Sequence, residues 1–214
     1  MSSGRSPFFI CAVFLCLISH RLFASLDFNS NCKAAYGSIF NLKFNSAREI
    51  IEKEKSRNPS NAITELLEND IDFLSAYITE EQHYYKRLLT NKEKRLSLIE
   101  RGNEQSPYCL YAQADIFLKC AFVRLKFGDY VSGAMDFLKA NSLLKKNRKQ
   151  FPEFILNLKG LGTIHAMAGV VPQEYKWLSA LAGLEGTISQ GLSELDSLFQ
   201  FDETSEYSFI KPEV

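Results

Sequence analysis

Phe127-Gly128-Asp129-Tyr130-Val131-Ser132-Gly133-Ala134-Met135-Asp136-Phe137-Leu138-Lys139-Ala140 is the stretch on which the fold turns. Gly128-Asp129 breaks one helical pattern and starts another. After the break a small residue, Gly133, is followed by an aromatic at plus four, Phe137, and by alanine at plus seven, Ala140, all on one face of a helix with 3.6 residues per turn. Counting back from Gly128, Ala121 falls at the point where the preceding helix crosses this one. The reason is steric: Ala121, Gly133 and Ala140 let two helix axes approach, while Phe117 and Phe137 fill the space between them.

The same periodicity extends in both directions. Tyr111, Ala114, Leu118, Ala121, Phe122 and Leu125 form the stripe before the turn, and Gly133, Phe137, Ala140 and Leu144 the stripe after it. Upstream, Ile63, Leu66, Leu67, Ile71, Leu74 and Ile78 share a face, with Glu65, Glu68, Asn69 and Asp72 beside it. Downstream, Phe154, Ile155, Leu158, Leu161 and His165 make one stripe, and Ile188, Leu192, Leu195, Leu198 and Phe199 the last. Breaks fall at Asn58-Pro59-Ser60-Asn61, from Gly102 to Pro107, at Gly128-Asp129, at Pro152 and at Val171-Pro172. No β-branched run has strand length, so the expectation is an all-α stack over residues 25–201. Residues 202–214 are polar and unpatterned and read as a loose tail.

The N-terminus has a different character. Arg5 is followed by eleven apolar residues, Phe8 to Ile18, and by small Ala24, the layout of a secretory signal peptide over residues 1–24. The run is short for a membrane span, which needs about 20 apolar residues. Leu22 in place of a small residue, and the interruption by His20-Arg21, keep an uncleaved anchor as the alternative. The whole chain of 214 residues carries 25 basic and 25 acidic groups; losing the first 24, which hold two Arg and no acid, leaves it nearly neutral. That balance, with 46% hydrophobic and 13% aromatic residues, excludes a disordered chain and argues against a nucleic-acid binder. Of five cysteines, Cys32, Cys109 and Cys120 survive such cleavage. Cys109 and Cys120 lie on one helix about 16 Å apart and cannot pair with each other; the expected role of all three is as small buried apolar residues.

Phe44-Asn45-Ser46-Ala47-Arg48-Glu49-Ile50-Ile51, followed by Asn58-Pro59, has the order of a small residue, an aliphatic one four later and a proline twelve later. With the Gly128-to-Ala140 stretch, this resembles tetratricopeptide-repeat proteins over about Asn31 to Pro59 and Tyr108 to Lys146. The segment Leu161 to Gly191 looks like the one that follows the repeat helices in exported bacterial proteins of this sort, and more distantly in eukaryotic inclusion-body-clearance proteins. The resemblance implies an irregular helical repeat, because Ala47 and Gly133 are 86 residues apart where neighbouring repeats give about 34. An extra helical unit, residues 61 to 101, lies between them. The second proline is absent too: Lys145 stands there, and the helix is expected to run on to Pro152.

Six of the eleven glycines lie between residues 160 and 191. Glycine inside a helix costs about 1 kcal/mol relative to alanine, so the cluster signals close helix contacts or turns; the competing reading is that Trp177, Tyr175 and His165 border a partner-binding surface. No catalytic pattern emerges. Glu80-Glu81-Gln82-His83 holds a single Glu-x-x-His without the companions of a di-iron site. Gly160-Leu161-Gly162 lacks the third glycine of a dinucleotide loop, and zinc and nucleophile-elbow motifs are missing. Lys145-Lys146-Asn147-Arg148-Lys149 reads as a helix C-terminus complemented by cations. Lys86-Arg87 through Lys92, Lys94 and Arg95 reads as a solvated face. The sequence therefore predicts an exported, periplasmic, envelope or secreted all-α protein with a signal peptide, without cofactor, metal or nucleic acid. Its role is adaptor or scaffold for a protein partner, the alternative being a membrane-surface or lipid-associated protein retained by its N-terminal anchor.

Overall fold

The computed structural model describes residues 24–170, 185–200 and 206–213. Within them lie eight α-helices: α1 Ser30–Phe40, α2 Phe44–Arg57, α3 Ile63–Thr79, α4 Gln82–Glu100, α5 Pro107–Lys126, α6 Tyr130–Gln150, α7 Asn157–Val170 and α8 Ile188–Phe199, with one 3-10 turn at Ser208–Ile210. The described residues contain no β-strand, only isolated bridges from Ala24 to Gly102 and from Ser25 to Asn61. The chain is all-α over what is described.

Local chemistry sets the helix ends. Asn29, Ser106, Asp129 and Thr187 each cap a helix with a side-chain oxygen that accepts a backbone N–H two or three residues on, and Pro107 occupies the first turn of α5. The α5–α6 turn is made by Gly128 at φ +81°, a left-handed conformation that glycine adopts without steric cost. α6 runs to Gln150 and is capped at Phe151, so the helix continues through Lys145 to the Pro152 break, as the sequence predicts.

The main packing is between consecutive helices, α1 with α2, α3 with α4, α5 with α6 and α7 with α8. The odd-numbered helices also touch one another in order, α1 to α3 to α5 to α7, so the first members of the pairs form a row. The small residues marked in the sequence are at these contacts: Ala47, Ala121 and Ala140 are inaccessible and Gly133 is buried. A Cβ on Gly133 would meet Leu125 Cδ2 at 3.0 Å and the Ala121 carbonyl at 3.4 Å.

Two sequence expectations are corrected. Lys92 and Arg95, read as part of a solvated face, are buried: Lys92 pairs with Asp136 of α6 at 2.5 Å and Arg95 with Asp72 of α3 at 2.7 Å. Neighbouring helices supply the counter-charges that a single-helix pattern cannot reveal. The tail expected to be loose over 202–214 is docked over 206–213, because Ile210 is buried, Phe209 stacks on Phe28 at 4.5 Å, and Glu213 enters a charged cleft. Residues 1–23 of the expected signal peptide lie outside the described residues. The described body begins with Ala24, whose N–H donates to the Arg101 carbonyl at 3.0 Å, and Ser25, bonded to Ser60 and Ala62 at 2.8 and 2.9 Å.

Candidate functional site

A cleft of about 330 Å³ opens along the row of odd-numbered helices. Its polar end is lined by charged residues of α5 and α7, with one from α3 paired to them. α5 carries Asp115 and Lys119 at i and i+4, on one face; α3 contributes Asp70 and α7 contributes Lys159. Lys119 Nζ lies 2.6 Å from Asp70 Oδ1 and 2.5 Å from Asp115 Oδ2, and Lys159 Nζ lies 2.9 Å from Asp115 Oδ1. All four are buried. Unpaired, each would carry a large desolvation cost, so the alternating ammonium and carboxylate groups stand or fall together. Aromatic faces surround them: Lys119 Nζ is 5.4 Å from the Phe40 ring centroid and Lys159 Nζ is 5.5 Å from that of Tyr111.

Glu213 enters from the docked segment 206–213. Its carboxylate accepts from Lys159 at 2.6 Å and from the Tyr36 hydroxyl of α1, and lies 3.3 Å from Lys119. Five charged side chains then share two ammonium groups and three carboxylates. The cluster is one cation short, which favours retention of a proton by one carboxyl group. Burial pushes Glu213 up to about 8. Burial also raises Asp70 to about 6 against the pull of Lys119. Burial acts on Asp115 as well, but Lys119 and Lys159 on either side outweigh it and hold that carboxyl at about 2. Beyond Glu213 the cleft is apolar, lined by Phe73, Leu74, Tyr77, Leu118, Phe122 and Leu195.

Of the residues singled out in the sequence, Tyr175 and Trp177 lie outside the described residues. His165 is described and buried. Its Nδ1 is 2.5 Å from Glu194 Oε2 and 3.1 Å from Gln190 Nε2, so it ties α7 to α8. The glycine-rich segment packs helices closely: a Cβ on Gly191 would meet the Gly162 carbonyl and the Ala166 nitrogen, each at 2.4 Å, and one on Gly162 would meet the Gly191 carbonyl at 2.9 Å. Glu80 caps α3 and pairs with Lys126 at 3.0 Å, while His83 is exposed beside Glu81 at 3.2 Å. Among the described residues no group of three or more His, Cys, Asp or Glu is arranged to hold a metal ion, and no helix is long and apolar enough to cross a membrane. Cys32, Cys109 and Cys120 are free and buried. Burial pushes the Cys32 and Cys120 thiols up to about 12 and raises Cys109, so none of these three is a reactive thiolate at neutral pH.

Sequence reasoning does not single out the cleft residues, although a signal is there. Asp70, Asp115, Lys119 and Lys159 are charges set inside apolar stripes, where a solvated helix would place leucine or alanine. Comparison of the chain with protein-family profiles, curated proteins and solved structures returned no match.

Proposed function

We propose that this chain is an exported helical-repeat adaptor of the tetratricopeptide-like kind, which holds a protein partner along the row formed by α1, α3, α5 and α7 and catalyses no reaction. The observation that carries the reading is the seating of residues 206–213 on that row: a short segment held by aromatic contacts and a carboxylate is how such a face grips a peptide. The pairing of consecutive helices, the buried small residues at the crossings and the ordered row of first helices support the repeat architecture. Export is supported by the sequence layout of residues 1–24, a basic residue, an apolar run and small Ala24. The test is capture from cell-envelope extracts in several detergents, using the chain from Ser25 onward beside its Lys159→Met variant. A protein retained by the first and lost with the second is expected; nothing above control in any detergent overturns the reading.

The cations at the end of α6 favour a second reading. Lys145, Lys146, Arg148 and Lys149 are exposed, and basic residues near an anionic bilayer contribute about 1 kcal/mol each. Flotation with anionic vesicles decides it: a membrane-surface protein rises with them at low salt, and a chain that stays in the dense fraction removes this option.

A further inference from the structure

We propose that the lysine-lined end of the cleft is a seat for the carboxyl side chain of a partner peptide's glutamate or aspartate, and that residues 206–213 fill it as an intramolecular stand-in. The inference rests on the adaptor reading and names the chemistry of what that adaptor takes: a short turn-forming segment with an aromatic residue four positions before a glutamate or aspartate, continuing into apolar side chains.

The segment is attached to the body as a ligand is. Its own backbone bonds close on themselves, Ile210 N–H to the Tyr207 carbonyl and Glu213 N–H to the Ile210 carbonyl. Side chains of the body donate the hydrogen bonds that hold its two ends: Lys33 to the Glu206 carbonyl at 3.0 Å, and Tyr36 and Lys159 to the Glu213 carboxyl group. Two anchors position it. Phe209 stacks on Phe28 and meets Tyr36 edge-on at 5.3 Å, and Glu213 reaches the two lysines.

The seat does not depend on its present occupant. Without Glu213, Lys119 keeps Asp70 and Asp115, and Lys159 keeps Asp115, so two cations remain balanced by two carboxylates. A site preorganised in this way binds without first rebuilding itself. The cleft also continues past Glu213 along Phe73, Tyr77, Leu118 and Phe122, which gives apolar residues of a longer peptide a surface to bury.

The test uses a dye-labelled peptide with the sequence of residues 205–214, titrated by fluorescence anisotropy into the chain from Ser25 onward and into the same chain carrying Phe209→Ala and Glu213→Ala. The doubly substituted chain, its own segment weakened, is expected to bind the peptide at least about tenfold more tightly than wild type, the equivalent of about 1.4 kcal/mol. A peptide with alanine for its glutamate at the position of Glu213 is expected to lose that gain. Equal affinity of the two chains, or equal affinity for the two peptides, overturns the proposal. Should the doubly substituted chain fail to fold, hydrogen exchange of residues 206–213 in the wild-type chain replaces it: excess peptide is expected to speed their exchange, and unchanged exchange overturns the proposal. Peptide exchange without any envelope partner leaves the seat standing and removes the adaptor reading; a captured partner that the peptide does not displace does the reverse.

Discussion

Glu54 shows how much one side chain fixes. It sits inaccessible near the end of α2 and accepts from the side-chain amides of Asn29, Asn31, Asn58 and Asn61 at 2.7, 2.9, 3.0 and 2.9 Å. Burial alone pushes its carboxyl up; the four amide donors outweigh that and bring it down to about 2. A carboxyl held below its ordinary value of 4.5 stabilises the fold at neutral pH, and that contribution is lost as pH falls from about 4.5 toward 2. Glu54→Gln turns an acceptor of four bonds into an amide facing amides. It should cost about 3 kcal/mol and lower the melting temperature followed by circular dichroism by about 6 to 12 °C at pH 7, with the gap to wild type narrowing at pH 3. The sequence marks Asn58-Pro59-Ser60-Asn61 only as a break, because a chelate whose members come from both ends of a helical pair leaves no periodic trace. The cysteines are the opposite case: their burial is legible from composition and helix geometry. Their thiols should react with a thiol reagent in the native chain only as fast as it opens, and immediate stoichiometric labelling would contradict this.

Between elements, what the sequence reveals is the period, and what it hides is the partner. The helices around Gly128 follow from apolar spacing, and the small residues at their crossing are buried as the steric argument requires. The same argument reaches the glycine cluster of α7 and α8, where close helix contact is realised at Gly162 and Gly191. At that crossing the atoms opposite a new Cβ are backbone atoms 2.4 Å away, and they cannot swing aside. Gly191→Ala should therefore separate the two helices and cost about 1 to 3 kcal/mol. Gly37, inside α1 with nothing within 4 Å of where a Cβ would stand, is the control: Gly37→Ala should stabilise by about 1 kcal/mol. Chemical denaturation of both variants reads the two signs, and equal effects would mean that the close approach is not what the glycine serves. The burial of Lys92 and Arg95 cannot be read this way, since the face of α4 they occupy is defined by Asp136 and Asp72 on other helices.

At the scale of the molecule, the row of odd-numbered helices joins residues far apart in sequence into one charged cleft, and the segment 206–213 closes it. The tail reads as loose in the sequence because four apolar residues, Tyr207, Phe209, Ile210 and Pro212, are too few to make a helical stripe; they are enough to fit a surface already built. Docking of that tail should depend on pH, with a sign that follows from its acid. Glu213 meets Tyr36 from α1, Lys119 from α5 and Lys159 from α7, and those two lysines are paired in turn with Asp70 from α3 and Asp115 from α5. Its carboxyl is raised from 4.5 to about 8 in place by burial, so the docked form holds a proton that the released form gives up. Docking is strongest below about pH 4.5, weakens as pH climbs through the interval to about 8, and levels off above it. Asp70 and Asp115 owe their shifts to burial and to the two lysines of the body, which the tail's release leaves in place, so the pH dependence of docking rests on Glu213. Hydrogen-exchange protection of residues 206–213, corrected for the intrinsic rate, should fall at least about tenfold between pH 5 and pH 8. Glu213→Gln keeps the uncharged shape at every pH, so it should preserve the protection seen at pH 5 and remove most of the decline. A decline of equal size in that variant would place the proton elsewhere in the cluster.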